Sequence, residues 1–362
     1  MFKKRGFMMK WLLLVSVFVF SALLVPLIIL FCRKYKIFDP VNARKIHSGE
    51  IPRLGGVAIV LSFLAGFLIY CFALKGLPVN RCVPLIVAGS IIFLFGFFDD
   101  LFEFRAIFKL VVQIIAVAIV VFSGYRFTRI MNWEMPLWFS YVLSFGWVLG
   151  IVNAYNLIDG LDGLCGGLSF LTLVTLGICL LLVKDSAGII CLYLAVAILG
   201  FLLYNWPPAK IFMGDCGSQF LGFMIAVIPL YSTVENFEYN KLFIMLVLVS
   251  IPMFDTIAAI WRRLRDHRPI MSPDKMHLHH KLMNLGLSKK ETLIMLLLIQ
   301  LLLCLAVCST VYITRSRGAV VLILAYIFMA ASFCVLHYLH RAVLKKHGEY
   351  GQAISELTEK QE

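Results

Sequence analysis

The chain has 362 residues, 61% of them hydrophobic and 15% charged, with a mean hydropathy of +0.93. Soluble domains run nearer ~45–50% apolar and ~25% charged, so a soluble protein, a collagen, a coiled coil and a disordered chain are all excluded. The net charge of +13 would suggest a nucleic-acid partner if the basic residues formed a patch. They stand instead between apolar runs, as anchors facing anionic lipid and anionic substrates, so no nucleic acid is expected.

A membrane span needs ~20 apolar residues to cross a ~30 Å core. Eleven apolar runs follow in chain order: 11–32, 55–74, 82–98, 107–123, 137–152, 163–183, 187–204, 219–231, 242–261, 293–313 and 319–339. The first follows Lys3, Lys4, Arg5 and Lys10, but it is too long for a signal peptide and lacks a small-residue cleavage site. The expected fold class is therefore all-α: a polytopic integral membrane protein of about eleven transmembrane helices. It forms a single domain over residues 1–362, with a flexible cytoplasmic tail at 340–362. The ten cysteines form no CxxC and read as small buried hydrophobes, neither a disulfide framework nor a metal site.

The polar clusters fall in the loops of one face, while the opposite loops, such as 184–188 and 314–318, are short and chemically dull. The spans carry almost no charge, with Asp255 the exception near the loop end of its run. A transporter would carry ionisable groups near mid-span. Here the chemistry sits at the membrane surface.

The opening loop, His47-Ser-Gly-Glu-Ile-Pro-Arg53-Leu-Gly-Gly56, is a basic, glycine-ended turn on that face. Asp99 and Asp100 end the third run. Adjacent helical residues point ~100° apart, so both face one site only if the helix stops there. Two unscreened carboxylates would raise one another's pKa, and a cation is needed beside them. Lys109, which opens the next run, could return through a helical hairpin to meet them; an interfacial cap with a snorkelling lysine reads equally well.

Residues 153–163, N-A-Y-N-L-I-D-G-L-D-G, set two amides and two carboxylates between apolar spans. Asn156, Asp159 and Asp162 or Gly163 would share one helical face, and Gly160 with Gly163 would leave room for a ligand. Gly163-xxx-Gly167 also fits a helix-packing pattern, which explains the glycines and not the carboxylates. Phe212-Met-Gly-Asp215-Cys-Gly-Ser218 sets a carboxylate in a glycine-flanked turn before a span. Its backbone N–H groups could hold an anion, and Asp215 is an acceptor suited to Mg²⁺; a plain turn is the bland alternative. The longest loop carries Arg262, Arg263, Arg265 and Arg268, then His277-Leu-His279-His280. The arginines read equally as membrane anchors. With no cysteine and one close carboxylate, Asp274, the histidines fit phosphate or nucleotide recognition better than zinc.

Together these loops suit magnesium-assisted phosphate chemistry between a polyanionic nucleotide and a lipid. A CDP-alcohol phosphotransferase signature begins D-x-x-D-G, which Asp159, Asp162 and Gly163 match. Its continuation requires Ala-Arg where Cys165-Gly166-Gly167 stands, and that rival falls.

The set, from about His47 to Gly286, resembles the polyprenyl-phosphate N-acetylhexosamine-1-phosphate transferase family (glycosyltransferase family 4), in motifs, order and span count. H-x-H-H followed by Lys281-Leu is similar to its UDP-GlcNAc branch, since the UDP-MurNAc-pentapeptide branch usually carries three consecutive histidines followed by Phe-Glu. The resemblance implies transfer of GlcNAc-1-phosphate from UDP-GlcNAc to undecaprenyl phosphate with release of UMP, early in a cell-surface polysaccharide pathway. Another UDP-N-acetylhexosamine and UDP-MurNAc-pentapeptide stand as alternative donors. It implies Mg²⁺, with Mn²⁺ as an alternative, held by Asn156 and Asp215. Asp99, Asp100 and Lys109 would serve catalysis, while His47, Asn153, Asp159, Asp162, Arg265, His277, His279 and His280 would bind substrates. A homodimer is left open. UDP-sugars are cytosolic, so the resemblance places the motif loops in the cytoplasm of a bacterial inner membrane, with the N-terminus outside. With that sidedness 21 of the 33 Lys and Arg fall inside, although the basic start of the chain pulls the other way.

Overall fold

A computed structural model describes residues 2–39, 51–269, 276–346 and 348. His47, Asp274 and most of the tail lie outside the described residues.

Every expected apolar run falls on helix, but not every helix is a full span. The helices are α1 (Phe2–Tyr35), α2 (Gly55–Leu68, continued by a wide π-turn through Ala73), α3 (Val79–Phe102), α4 (Ala106–Phe122) and α5 (Leu137–Ile158). They continue as α6 (Leu164–Leu182), α7 (Ala187–Asn205), α8 (Asp215–Val227), α9 (Glu235–Glu238) and α10 (Lys241–Leu248). The last four are α11 (Ser250–Arg265), α12 (Leu278–Asn284), α13 (Lys289–Ser309) and α14 (Arg315–Lys346). Among the described residues eight helices are long and apolar enough to cross a membrane, or nine if α10 and α11 count as one. The chain is a multi-pass, all-α membrane protein, and two shorter apolar helices, Ala106–Phe122 and Asp215–Tyr231, account for the other expected runs. Helix α4 has 17 residues and α8 is extended by a tight turn to Tyr231, so both sit at the short end of the ~17–25 residues that cross a membrane. A two-residue antiparallel ribbon, Arg129–Ile130 with Trp133–Glu134, is the sole β-structure of more than one residue among the described residues. Helix α14 also runs to Lys346, into the stretch expected to be a flexible tail.

The run at 242–261 breaks between α10 and α11 with a bend of 73°. Pro252 lacks the N–H that would bond the carbonyl of Leu248, and its ring crowds that carbonyl. In lipid a freed carbonyl needs another donor. Gln300 Nε2 and Thr172 Oγ1 donate to Leu248 O at 2.9 and 3.3 Å.

Helix α8 sits at the centre, against α2, α3, α5 and α6. Every residue from Cys216 to Val227 is buried, whereas α1 and α14 are mostly exposed along their length. Eight cysteines are buried, as expected; Cys308 is half-buried and Cys334 exposed on α14.

Candidate active site

Three chain reversals bring the carboxylates together. Helix α3 stops two residues after its acidic pair, because Glu103 is left-handed (φ +52°) and donates its N–H back to Asp99 O at 2.9 Å. Phe104 N then donates to Asp99 Oδ1 at 2.8 Å. The chain turns at once into α4, whose first turn carries Lys109. Its ammonium pairs with Asp99 and, at 2.9 Å, with Asp215 Oδ2. The hairpin expected from sequence thus forms, and the lysine bridges two carboxylates from different helices.

The second reversal places Asp215. Backbone bonds join Phe212 N to Pro52 O (2.7 Å), Gly55 N to Phe212 O (2.9 Å) and Gly56 N to Met213 O (2.7 Å). This pins the segment ahead of α8 against the segment ahead of α2. Gly214 is left-handed (φ +76°), and a Cβ there would stand 2.2 Å from Arg53 O and 2.6 Å from Asp100 Oδ2. The N–H groups at the start of α8 were expected to hold an anion, and they do: Asp100 itself. Asp215 N and Cys216 N donate to its two oxygens at 2.8 and 3.0 Å. Arg53 flanks it at 3.9 Å and donates to its backbone carbonyl. Asp100 is therefore a helix cap as well as part of the cleft wall.

The third reversal follows α5. The helix ends at Ile158, with Asp159 as its cap, so the continuous helical face expected for Asn156, Asp159 and Asp162 is broken. Asn156 is still helical and donates to Asp215 Oδ1 (3.1 Å) and Ser218 Oγ (3.0 Å). Asp162 Oδ2 accepts from Ala209 N at 3.1 Å, fixing the turn to the chain beyond α7. Half-buried Asp159 has its pKa pushed well above the ordinary carboxylate range, first by burial and then by the charges of Asp215, Asp100 and Asp162. The room at Gly160 is already filled: a Cβ there would meet His279 Cε1 at 2.7 Å.

The histidine loop is held from α11. Asp255 Oδ2 pairs with His277 Nδ1 at 2.9 Å, and Asp255 Oδ1 accepts from Leu278 N at 2.8 Å. His279 lies 4.3 Å from the His280 ring and is 1% exposed, with neither ring nitrogen bonded. Burial, then the neighbouring His280, pushes its pKa down to about 3, which favours the neutral ring.

These elements surround a cleft of about 330 Å³ lined by Arg53, Asp100, Asn156, Asp159, Asp162, Asp215, His280 and Lys289, among others. Asn153, Arg265 and His277 do not line it. Asn153 turns toward Gln113, Arg265 pairs with Asp266 on an exposed surface, and His277 serves Asp255. Sequence reading overlooked Lys289, which opens α13, and Gln113, which has no polar neighbour in the sequence between Lys109 and Ser123 to draw attention to it.

Comparison with known proteins gives the same direction. The profile described as Glycosyl transferase family 4 matches residues 82–233. A probable undecaprenyl-phosphate N-acetylglucosaminyl 1-phosphate transferase of Bacillus subtilis (strain 168) is 36% identical over 270 residues, covering 72% of this chain and 74% of the relative. A decaprenyl-phosphate N-acetylglucosaminephosphotransferase of Mycobacterium leprae is 33% identical, covering 77% and 78%. The undecaprenyl-phosphate alpha-N-acetylglucosaminyl 1-phosphate transferase of Escherichia coli (strain K12) is 31% identical, covering 80% and 81%.

Proposed function

The chain belongs to glycosyl transferase family 4, and from that premise we propose that it transfers GlcNAc-1-phosphate from UDP-GlcNAc to undecaprenyl phosphate and releases UMP. The observation that carries this reading is the convergence of Asp99, Lys109 and Asp215 from three helices beside a carboxylate-lined cleft. An oxygen of the lipid phosphate attacks the β-phosphorus of the sugar nucleotide. The bond from that phosphorus to the bridging oxygen breaks, and the electron pair leaves with UMP. A phosphate monoester has a second pKa near ~6, so the attacking group is already largely anionic and needs little deprotonation. Charge repulsion is the chief obstacle. Lys109 offsets it at the lipid end, where Asp99 holds the ammonium in place, and Arg53, Lys289 and His280 stand around the nucleotide cleft.

The cleft carries Asp39, Asp100, Asp159, Asp162 and Asp215 against fewer cationic groups. This hard-oxygen donor set fits Mg²⁺, or Mn²⁺, bound by one or two carboxylates and sharing its shell with phosphate and water. Among the described residues no three His, Cys, Asp or Glu side chains form a closed cage. Asp215 and Asn156 would be the protein's ligands, and the ion would supply charge neutralisation on the transferred phosphoryl oxygens. The interrupted histidine triplet favours UDP-GlcNAc over UDP-MurNAc-pentapeptide, with UDP-GalNAc as the next donor to compare.

The protein would lie in a bacterial inner membrane with the cleft facing the cytosol. The test is purified protein with each of the three donors, undecaprenyl phosphate and Mg²⁺. UMP should form only when donor, lipid and divalent ion are all present, and fastest with UDP-GlcNAc. Preference for UDP-MurNAc-pentapeptide would overturn the donor. Substrate flux into proteoliposomes without UMP would overturn the reaction.

A further inference from the structure

Beneath the reactive groups lies a second layer that the reaction does not touch. Lys109 and Gln113 are four residues apart on α4, Asp215 and Gln219 four apart on α8, and Asn156 and Asn153 three apart on α5. At those spacings side chains share a helical face, so Lys109, Asp215 and Asn156 each have an amide one turn deeper in the bundle. The three amides are joined: Asn153 Nδ2 donates to Gln113 Oε1 (2.9 Å), Gln113 Nε2 to Gln219 Oε1 (3.0 Å), and Gln219 Nε2 to Asp215 Oδ2 (3.1 Å). Gln113 and Gln219 are 2% and 1% exposed.

The direction of this chain follows from its end. A carboxylate only accepts, so Gln219 must turn its NH₂ toward Asp215. Its oxygen then faces Gln113, which must donate, and the Gln113 oxygen is left for Asn153. We propose that Gln113 and Gln219, with Asn153 behind them, are positioning residues that hold the Asp215 carboxylate in one orientation through a one-way line of amide hydrogen bonds. This rests on the reading of Asp215 as a metal-binding, reactive-site group. Buried amides also join membrane helices simply as glue. Glue needs the bonds but is indifferent to their direction, whereas positioning of Asp215 requires a donor at its end.

Gln219→Met separates the two: it removes the donor to Asp215 and buries no new charge. A carboxyl at position 113 would not serve, because a group so deeply buried takes up a proton and its O–H then donates to Gln219 as the amide does. Gln113→Met, which removes the donor to Gln219, is the companion variant should the first fail to fold. With wild-type protein, kcat, KM for UDP-GlcNAc, thermal midpoint and Mn²⁺ affinity by electron paramagnetic resonance are measured. Loss of one oriented hydrogen bond to an ionised group predicts a fall of about tenfold in kcat and a similar weakening of Mn²⁺ binding. KM should change less than twofold, and the thermal midpoint should fall modestly, since one buried amide loses a partner. A lowered midpoint with kcat and Mn²⁺ affinity intact would reduce the chain to glue and overturn the proposal. If the wild type forms no UMP, the functional reading fails on its own, and the Mn²⁺ affinities of the variants still decide the chain.

Discussion

Single carboxylates in the cleft have different jobs, and substitution should separate them. Asp215 touches Lys109, Asn156 and Gln219 at once. Asp215→Asn removes the charge opposite Lys109 and, on the proposed function, would remove a hard anionic metal ligand, so kcat in the transfer assay should fall ~10²-fold or more, the scale expected when preorganised charge stabilisation is lost. Asn156→Ala should lose less and require more Mg²⁺. Asp159 behaves in the opposite sense. Its folded-state pKa lies above the ordinary value because of burial and four neighbouring carboxylates, so the folded protein binds the extra proton between the two values. Stability from this group falls as pH rises through that window. Asp159→Asn should therefore raise the thermal midpoint of the ligand-free protein at neutral pH, and the difference should shrink as pH drops toward the ordinary carboxylate range. A pH-independent difference would assign the effect to packing.

At the scale of elements, the site depends on turns that sequence spacing conveys only in part. The motif Gly214-Asp215 was visible, but not that the anion held by the helix start would be another residue of the chain. That contact is non-local, between α3 and α8, and no local pattern encodes it. Likewise Asp159 and Asp162 were visible as a pair, whereas the end of α5 at Ile158 was not, because the apolar period continues through Leu161. The Asp99–Lys109 hairpin was legible because it closes within ten residues. Gly214→Ala tests the tightest of these turns. The backbone there (φ +76°, ψ 172°) lies in a region essentially reserved for glycine, costing an L-residue about 1–3 kcal/mol, and the new Cβ would also meet Arg53 O and Asp100 Oδ2. A lowered thermal midpoint and near-complete loss of transfer are expected. Gly286→Ala, left-handed too (φ +102°) but with nothing within 4 Å, should lower the midpoint only modestly and spare activity.

For the whole molecule, hydropathy located the helices but not how far each one reaches. Short α8 and the bend at Pro252 arise where the bundle interior surrounds the chain, whereas short α4 keeps one side exposed, and an apolar run looks alike in both settings. Sidedness is open to a direct measurement. Most thiols are buried, so only Cys308 and Cys334 need replacing before single cysteines are introduced at exposed Lys184 and Lys290. A membrane-impermeant thiol reagent should label position 184 in intact cells and position 290 only after lysis. The reverse would put the cleft outside and remove any cytosolic sugar nucleotide from consideration. The burial of α8 has a further consequence, for evolvability. Helix α1 has a lipid-facing side where substitutions are cheap, so a saturation scan should show tolerance rising and falling with the helical repeat. Helix α8 has no such side from Cys216 to Val227, and its trace should be uniformly low. An inhibitor seated against the start of that helix would meet a wall with few viable substitutions, and resistance would have to arise in the loops around it.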